Sequence, residues 1–294
     1  MIRDLLKGTG VALVTPFAAD GAVDYSALEK VVNFVIDGGV QYLVSLGTTG
    51  ETATLSREEK HAVFAATVEM NNGRVPVVVG IAGNNTQEVL ADLESYPLEK
   101  AVAILSASPY YSKPSQEGIY QHYKAMAEAT VKPIILYNVP ARTGSNILPE
   151  TAVRLAKDYE TICGIKESSG DVAQCMQLLK TKPRDFFVTS GDDQLALPMI
   201  ACGMDGVISV AANCFPKDVT DMVAAAIGND YQLARIYHYN LLEGFGLLFA
   251  ENNPAGIKAF LSEMGLIQNH LRLPLVPLSP AVMEKVKAFL PTLK

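Results

Sequence analysis

The sequence lacks the features that mark proteins acting on nucleic acids or within membranes. It has no run rich in lysine or arginine, and its formal net charge of −7 argues against a nucleic acid as partner. No stretch approaches the roughly 18 consecutive apolar residues that a transmembrane helix needs. The first residues, MIRDLLKGTG, contain no apolar segment of the length found in signal peptides. We therefore expect a cytoplasmic protein with no membrane partner.

Motifs for metals and cofactors are missing as well. The four cysteines form no CxxC pair and the four histidines show no i, i+4 spacing, so a zinc site is unsupported. Neither GxGxxG nor GxxxxGKS/T occurs, so the common fingerprints of dinucleotide and phosphate binding are absent. Unpaired thiols also fit the cytoplasm. We expect neither a metal nor a cofactor.

What the sequence does contain is a regular alternation of apolar runs and amphipathic helical patterns. Hydrophobic residues make up 49% of the chain and charged residues 19%, which is typical of a well-buried globular protein. Eight apolar runs each indicate a buried strand of a parallel sheet. They are Gly10–Val14, Gln41–Leu46, Val75–Ile81, Ala101–Leu105, Pro133–Asn138, Thr161–Lys166, Phe186–Thr189 and Gly206–Val210.

A helical pattern follows each of these runs. Asp24 is a plausible N-cap of the first helix, and Ser56 with Glu59 predicts a capping box for the second. Eight strand-then-helix units in about 230 residues predict an α/β fold, a (β/α)8 barrel rather than an open sheet. The barrel would occupy residues 1–229 and carry the active site. A helical extension would occupy residues 230–294, with helices at Asp230–Ala250, Pro254–Met264 and Ala281–Leu290.

Lys166 ends the sixth apolar run, within the stretch ETICGIKESSG. Alternation along a strand would give it the same face as Ile162 and Gly164. A lysine there has a non-functional interpretation, in which its stem lies on apolar surface and its ammonium reaches water. The functional interpretation is an amine in a dry pocket that attacks a carbonyl and forms a Schiff base.

Other polar residues follow the remaining strands, and the C-terminal ends of barrel strands form the active sites of such folds. They supply hydroxyls and one fixed cation but no histidine base, which suggests imine chemistry with hydroxyl proton relays. Each also has an ordinary interpretation: a turn for Thr48–Thr49, a core or interface aromatic for Tyr137, and a surface charge for Arg142. Asp192 and Asp193 are more typical of helix caps than of metal ligands.

Several motifs resemble the pyruvate-dependent class I aldolase and lyase family that includes the dihydrodipicolinate synthases and N-acetylneuraminate lyases. The resemblance spans essentially the whole chain. YNVPxRTG is the discriminating motif, because its arginine is similar to that of the dihydrodipicolinate synthases, and the neuraminate lyases lack it. The motifs are GTTGE (47–51), YNVPxRTG (137–144), GIKE (164–167), SGDD (190–193), GVISV (206–210), NNPAGIK (252–258) and LRLPLVPLS (271–279).

The resemblance implies a role for each matching residue. Lys166 would form the Schiff base with pyruvate, Tyr137 would relay protons, and Thr48 would link Tyr137 to Tyr111 across a tight dimer interface. The substrate-binding residues would be Thr49 for the pyruvate carboxylate, Arg142 for L-aspartate-4-semialdehyde, and Gly191 with the Ile208 carbonyl close by. The implied product is 4-hydroxy-tetrahydrodipicolinate, on the route through diaminopimelate to lysine, and the implied assembly is a homotetramer built from tight dimers.

The resemblance also implies an effector site for lysine at the dimer interface. Its positions are Thr52, Ala53, Arg57, Lys60, Asn84, Glu88 and Tyr110. Arg57 and Lys60 stand where lysine-sensitive members often carry histidines. Two permanent cations would repel an incoming ammonium, so we expect weak or absent inhibition by lysine, unless both side chains point to solvent.

Two alternatives stay open at this stage. The first keeps pyruvate and Lys166 but changes the partner aldehyde, as in aldolases of 2-keto-3-deoxy sugar acids or of N-acetylneuraminate, and Arg142 argues against it. The second is a non-catalytic sensor of a small keto acid, which turnover at ordinary enzyme rates, on the order of one per second, would exclude.

Overall fold

Each apolar run predicted to be a strand overlaps one in the computed structural model, which describes residues 2–293. The eight parallel strands close into a barrel in chain order, with β1 paired to both β2 and β8. This confirms the predicted fold. The strands are β1 Gly8–Ala12, β2 Tyr42–Ser45, β3 Val77–Gly80, β4 Ala103–Ala107, β5 Ile134–Asn138, β6 Ile162–Glu167, β7 Phe187–Ser190 and β8 Gly206–Ser209.

Helices follow the strands and continue beyond the barrel. The predicted caps are present: Asp24 accepts a hydrogen bond from the Ala27 amide, and Ser56 with Glu59 forms the capping box. The α-helices are α1 Ile2–Leu5, α2 Tyr25–Asp37, α3 Arg57–Asn71, α4 Thr86–Ser95, α5 Gln116–Ala129, α6 Pro140–Thr143, α7 Pro149–Asp158, α8 Val172–Thr181, α9 Ala196–Ala201, α10 Pro216–Ile227, α11 Tyr231–Phe249, α12 Ala255–Glu263 and α13 Pro280–Phe289.

Two hydrophobic cores result from this architecture. The larger one lies between the barrel and its helices and includes residues of the C-terminal helices, such as Phe245 and Phe260. The smaller one fills the barrel interior, with Tyr42, Ile135 and Phe187 among its members. Gly10 makes room for the Tyr42 ring, since a Cβ at Gly10 would lie 2.2 Å from it.

Strand β6 departs from simple alternation. Its pairing with β5 shifts by one residue, from Ile134 opposite Ile162 to Ile135 opposite Gly164. The extra residue, Cys163, is a bulge that reverses the faces on its two sides. Gly164 therefore shares the inner face with Lys166, whereas Ile162 belongs to the outer core, so the expectation that Ile162 shares the lysine face is wrong.

The predicted strand boundaries all agree with the structure within two residues. Strand β1 begins earlier than predicted, because Gly8 and Thr9 pair with Gly206 and Val207 of β8. The four-residue helices α1 and α6 have no counterpart in the prediction, since one helical turn is too short to show a periodic pattern.

The C-terminal helices follow the last barrel helix directly. Asp230 caps α11 by accepting a hydrogen bond from the Leu233 amide, close to the predicted start of the extension. The division into a barrel of residues 1–229 and an extension of 230–294 stays a prediction. Over residues 2–293, no helix is long and apolar enough to cross a membrane.

Candidate active site

A cavity of about 700 Å3 opens where the barrel strands end. It has walls from the strand-following loops and from the C-terminal region. Six of the residues predicted for the site line it together: Thr48, Thr49, Tyr137, Arg142, Lys166 and Gly191. Asp192 and Glu251 add two carboxylates to the two cations of this set.

Lys166 lies at the centre of this arrangement. It pairs in register with Tyr137 of β5 and Thr189 of β7, so its side chain enters the barrel mouth beside both strands. The residue is only 4% exposed, and its Nζ lies 4.4 Å from the centre of the Tyr137 ring. The contact places the Lys166 amine over the face of the Tyr137 ring, which carries a hydroxyl. The lysine is therefore buried at the wall of the cavity and does not extend into solvent as a surface side chain.

Gly191 provides the space that the lysine stem occupies. A Cβ at this position would lie 2.5 Å from Lys166 Cε and 1.9 Å from Ser168 Oγ. The lysine stem and the Ser168 hydroxyl therefore both pack against the bare backbone of Gly191. A side chain there would have to displace one of them.

The two threonines lie on a short 3-10 turn, Thr48–Gly50, which follows β2 after two residues. Thr48 is exposed at the cavity, and Thr49 is 2% exposed. Thr49 Oγ1 accepts a hydrogen bond of 3.1 Å from Asn253 Nδ2. Thr15 stabilises the turn, because its hydroxyl donates to the Gly50 carbonyl.

Arg142 enters the cavity from helix α6. Its side chain is exposed, and Nη2 donates to the Asn253 carbonyl at 3.3 Å. The guanidinium keeps most of its donors available for a ligand, which suits recognition of a carboxylate by a planar fork.

Two predicted residues do not line the cavity. Ile208 is fully buried on β8 and belongs to the barrel-interior core. Tyr111 is 87% exposed, has a left-handed backbone conformation with φ of 71°, and donates its amide to the Thr143 carbonyl. Its own chain therefore does not bring the Tyr111 ring to Lys166.

Six of the seven residues predicted for an effector site lie near the start of α3 or of α4, and the seventh, Tyr110, follows β4. Thr52 is tied into the loop by hydrogen bonds from its hydroxyl to the Leu46 and Gly47 carbonyls. Arg57 bridges to α4, with Nε 3.6 Å from Asp92 Oδ1 and a hydrogen bond to the Ala91 carbonyl. The others are exposed or half-buried: Ala53, Lys60, Asn84, Glu88 and Tyr110.

Asp192 and Asp193 have separate tasks, and both support backbone turns. Asp192 accepts hydrogen bonds from the Gln194 and Leu195 amides before α9. Asp193 is buried and accepts from the Ser209 hydroxyl and the Val210 amide after β8. Burial raises the pKa of the Asp193 carboxyl. Within residues 2–293, no group of three or more His, Cys, Asp or Glu could hold a metal ion.

The wall that sequence reasoning missed comes from the C-terminal region. The contributing residues are Phe245, Gly246 and Phe249 of α11, followed by Glu251, Asn252 and Asn253. Asn253 bonds both to Thr49 and to Arg142, so it joins two predicted substrate-binding residues. The motif NNPAGIK contains it, and that motif was the available signal.

Comparisons with known proteins agree on one family. The model of the Dihydrodipicolinate synthetase family matches residues 5–293. The 4-hydroxy-tetrahydrodipicolinate synthase of Flavobacterium psychrophilum is 52% identical over 96% of both chains, and that of Phocaeicola vulgatus is 49% identical over 100% of this chain and 99% of its own. A chloride-inhibited dihydrodipicolinate synthase from Acinetobacter baumannii, solved with pyruvate, superposes with a TM-score of 0.95 at 42% identity over 98% of both chains.

Proposed function

The chain belongs to the dihydrodipicolinate synthetase family, and from that premise we propose that it condenses pyruvate with L-aspartate-4-semialdehyde to form 4-hydroxy-tetrahydrodipicolinate. It is a lyase of the class I aldolase type and serves lysine biosynthesis. The observation that carries the proposal is the buried Lys166 amine over Tyr137, in a cavity that also contains Thr49 and Arg142.

Lys166 is the nucleophile. Its Nζ attacks the keto carbon of pyruvate, and loss of water from the resulting adduct leaves an imine. The burial of Lys166 and its position beside the Tyr137 ring, at the wall of the cavity, support this role. Tyr137 lies next to the amine and relays the protons that the addition, the dehydration and the later bond-forming step require.

Two groups hold the carboxylates of the substrates. Thr49 and its turn bind the carboxylate of pyruvate, and Arg142 binds that of the semialdehyde. Arg142 lines the same cavity as the lysine, so the second substrate would approach the enamine carbon with its acid end fixed. This arrangement favours the semialdehyde over sugar-derived aldehydes. Gly191 completes the pyruvate side, whereas Ile208, which does not line the cavity, is left out of the proposed site.

Tyr111 acts from a second copy of the chain. Its high exposure and its separation from the cavity of its own chain support a role across a dimer interface, where Thr48 links it to Tyr137. The chain would assemble as a homotetramer of tight dimers. It would work in the cytoplasm, where free cysteines such as Cys175 stay reduced.

Borohydride trapping tests the nucleophile. Treatment with pyruvate and borohydride should add one reduced pyruvate unit to the peptide that contains Lys166, as measured by mass spectrometry. Lys166→Ala should form no adduct and have no turnover while its circular dichroism and melting temperature stay close to those of the parent. An adduct on a different lysine, or none at all, would contradict the proposal.

A steady-state comparison tests the partner aldehyde. We expect turnover with L-aspartate-4-semialdehyde and little with sugar-derived aldehydes. Arg142→Met should raise the KM for the semialdehyde and leave pyruvate trapping unchanged. Faster turnover with a sugar-derived aldehyde would assign the chain to a different aldolase activity.

A further inference from the structure

Glu51, the last residue of the GTTGE motif, has an unusual position. It is 3% exposed, and it connects the 3-10 turn Thr48–Gly50 to a second turn, Thr52–Thr54. Its backbone has φ of 52° and ψ of 34°, a left-handed conformation that is unfavourable for a residue with a side chain. Surrounding contacts must therefore hold it there.

Lys258 of α12 supplies the first contact. Its amine forms a fully buried ion pair with Glu51 Oε1 and donates to the His270 carbonyl at 2.9 Å. It also lies 4.1 Å from the centre of the Phe17 ring. Burial lowers the pKa of Lys258 to about 8, and the attraction of Glu51 opposes that shift. An unpaired carboxylate in the same place would be strongly unfavourable.

Arg272, from the LRLPL segment, supplies the second contact. Its amide donates to Glu51 Oε2 at 3.1 Å. Its guanidinium forms a two-pronged pair with Glu59 of α3 and donates to the Thr54 and Gly21 carbonyls. The guanidinium carbon lies 4.4 Å from the centre of the Phe17 ring, so both cations share that aromatic neighbour. These contacts fix both ends of the segment 51–59.

The network of Glu51, Lys258, Arg272 and Glu59 thus ties the C-terminal region to the turn that carries Thr48 and Thr49. None of the four lines the cavity. Two carboxylates and two cations balance in charge. The same helix, α12, follows Asn253, which bonds to Thr49. The turn is therefore held on its outer side by Glu51 and on its cavity side by Asn253.

We infer that Glu51, Lys258 and Arg272 are positioning residues that set the geometry of the Thr48–Thr49 turn for the pyruvate carboxylate. The inference rests on the proposed function. Its alternative is a network that only stabilises the fold. The two differ in one observable: a purely stabilising network, once broken, lowers the amount of folded protein but leaves the pyruvate affinity of the folded fraction unchanged.

The test measures the pyruvate concentration that gives half-maximal borohydride trapping on Lys166. Lys258→Met removes the buried cation, and the double variant Glu51→Gln/Lys258→Met removes both charges and so avoids an unpaired buried carboxylate. Arg272→Lys keeps the positive charge but loses the fork that reaches Glu59 and Thr54 together. Arg154→Lys is the matched control, because Arg154 also pairs with a carboxylate, Glu117, and lies over a ring, Tyr120, away from the cavity.

We expect the half-saturating pyruvate concentration to rise about tenfold or more in Arg272→Lys and in the double variant, and to change less than twofold in Arg154→Lys. If Lys258→Met does not fold, the other two variants still decide the question. Unchanged half-saturation in Arg272→Lys and in the double variant, with folding confirmed by circular dichroism, would overturn the inference. Failure of the parent protein to form any adduct would instead contradict the proposed function.

Discussion

At the residue scale, the site depends on Gly191, whose lack of a side chain leaves room for the stem of Lys166. Gly191→Ala would insert a methyl group 2.5 Å from Lys166 Cε, so the lysine stem must move. A displacement of about 1 Å at a reacting atom costs roughly a hundredfold in rate. We therefore expect turnover and pyruvate trapping to fall by about that factor, with the melting temperature nearly unchanged.

The control for this substitution is Gly246→Ala in the same cavity. A Cβ at Gly246 would meet only Gln194 Nε2, at 3.9 Å, which is ordinary contact. Its trapping rate should stay within about twofold of the parent, well inside the hundredfold loss expected at Gly191. Equal trapping rates for the two variants would show that Gly191 tolerates a side chain.

Residue types at the strand ends were the predictable part of the site. Lys166, Tyr137, Thr49 and Arg142 follow apolar runs whose order in the chain determines where they meet, so motif and topology suffice. Asn253 was not predictable in this way. It reaches Thr49 only through the packing of α12 beside the barrel, so the motif NNPAGIK marks the segment but does not predict that contact.

At the element scale, it was easier to predict where strands form than to predict which side of the sheet each residue faces. Alternation assumes one residue per pleat, and the bulge at Cys163 breaks that assumption between Ile162 and Gly164. The bulge leaves no periodic signal here, because Ile162, Cys163 and Ile165 are apolar whichever face they occupy. The lysine still enters the barrel, since its register is counted from Gly164 onward.

Helix α12 makes a close approach to α11 that depends on Gly256. A Cβ there would lie 2.1 Å from the Leu248 carbonyl oxygen, which is backbone and cannot rotate away. Gly256→Ala should therefore push the two helices apart and destabilise the protein by about 2–3 kcal/mol. A lower urea midpoint than that of the parent, at equal protein concentration, is the measurement.

Gly246→Ala also serves as the comparison here, because it lies within α11 without a close neighbour. It should leave the midpoint unchanged or raise it slightly, as alanine is favoured over glycine in a helix by up to about 1 kcal/mol. A midpoint for Gly256→Ala that equals the parent value would mean that α12 does not pack as closely as described.

At the scale of the whole molecule, buried histidine makes stability depend on pH. His122 is 4% exposed, and burial lowers its pKa to about 4, below the usual value of 6.5. Between these values the unfolded chain binds the proton and the folded chain does not, so stability is complete above pH 6.5 and falls as the pH drops toward 4. At pH 5 the loss from this group is about 2 kcal/mol.

Urea unfolding at pH 7.5 and pH 5 of the parent and of His122→Gln measures this contribution. The difference between the two pH values should shrink by about 2 kcal/mol in the variant. His61→Gln, a substitution of a half-buried histidine on α3, is the control and should retain the pH dependence. An unchanged dependence in His122→Gln would locate the acid sensitivity elsewhere.

Regulation by lysine also belongs to the whole molecule, because the implied effector site lies between two copies of the chain. Arg57 and Lys60 are permanent cations near that site, and Arg57 is partly neutralised by Asp92 at 3.6 Å. In water, two like charges about 4 Å apart repel by roughly 1 kcal/mol, enough to weaken lysine binding several-fold.

We expect the initial rate to stay above half of its value in millimolar lysine. Arg57→His/Lys60→His should become more sensitive at neutral pH, because histidine there is largely uncharged. Strong inhibition of the parent, with no change in the double variant, would mean that both cations point to solvent and do not oppose the ligand.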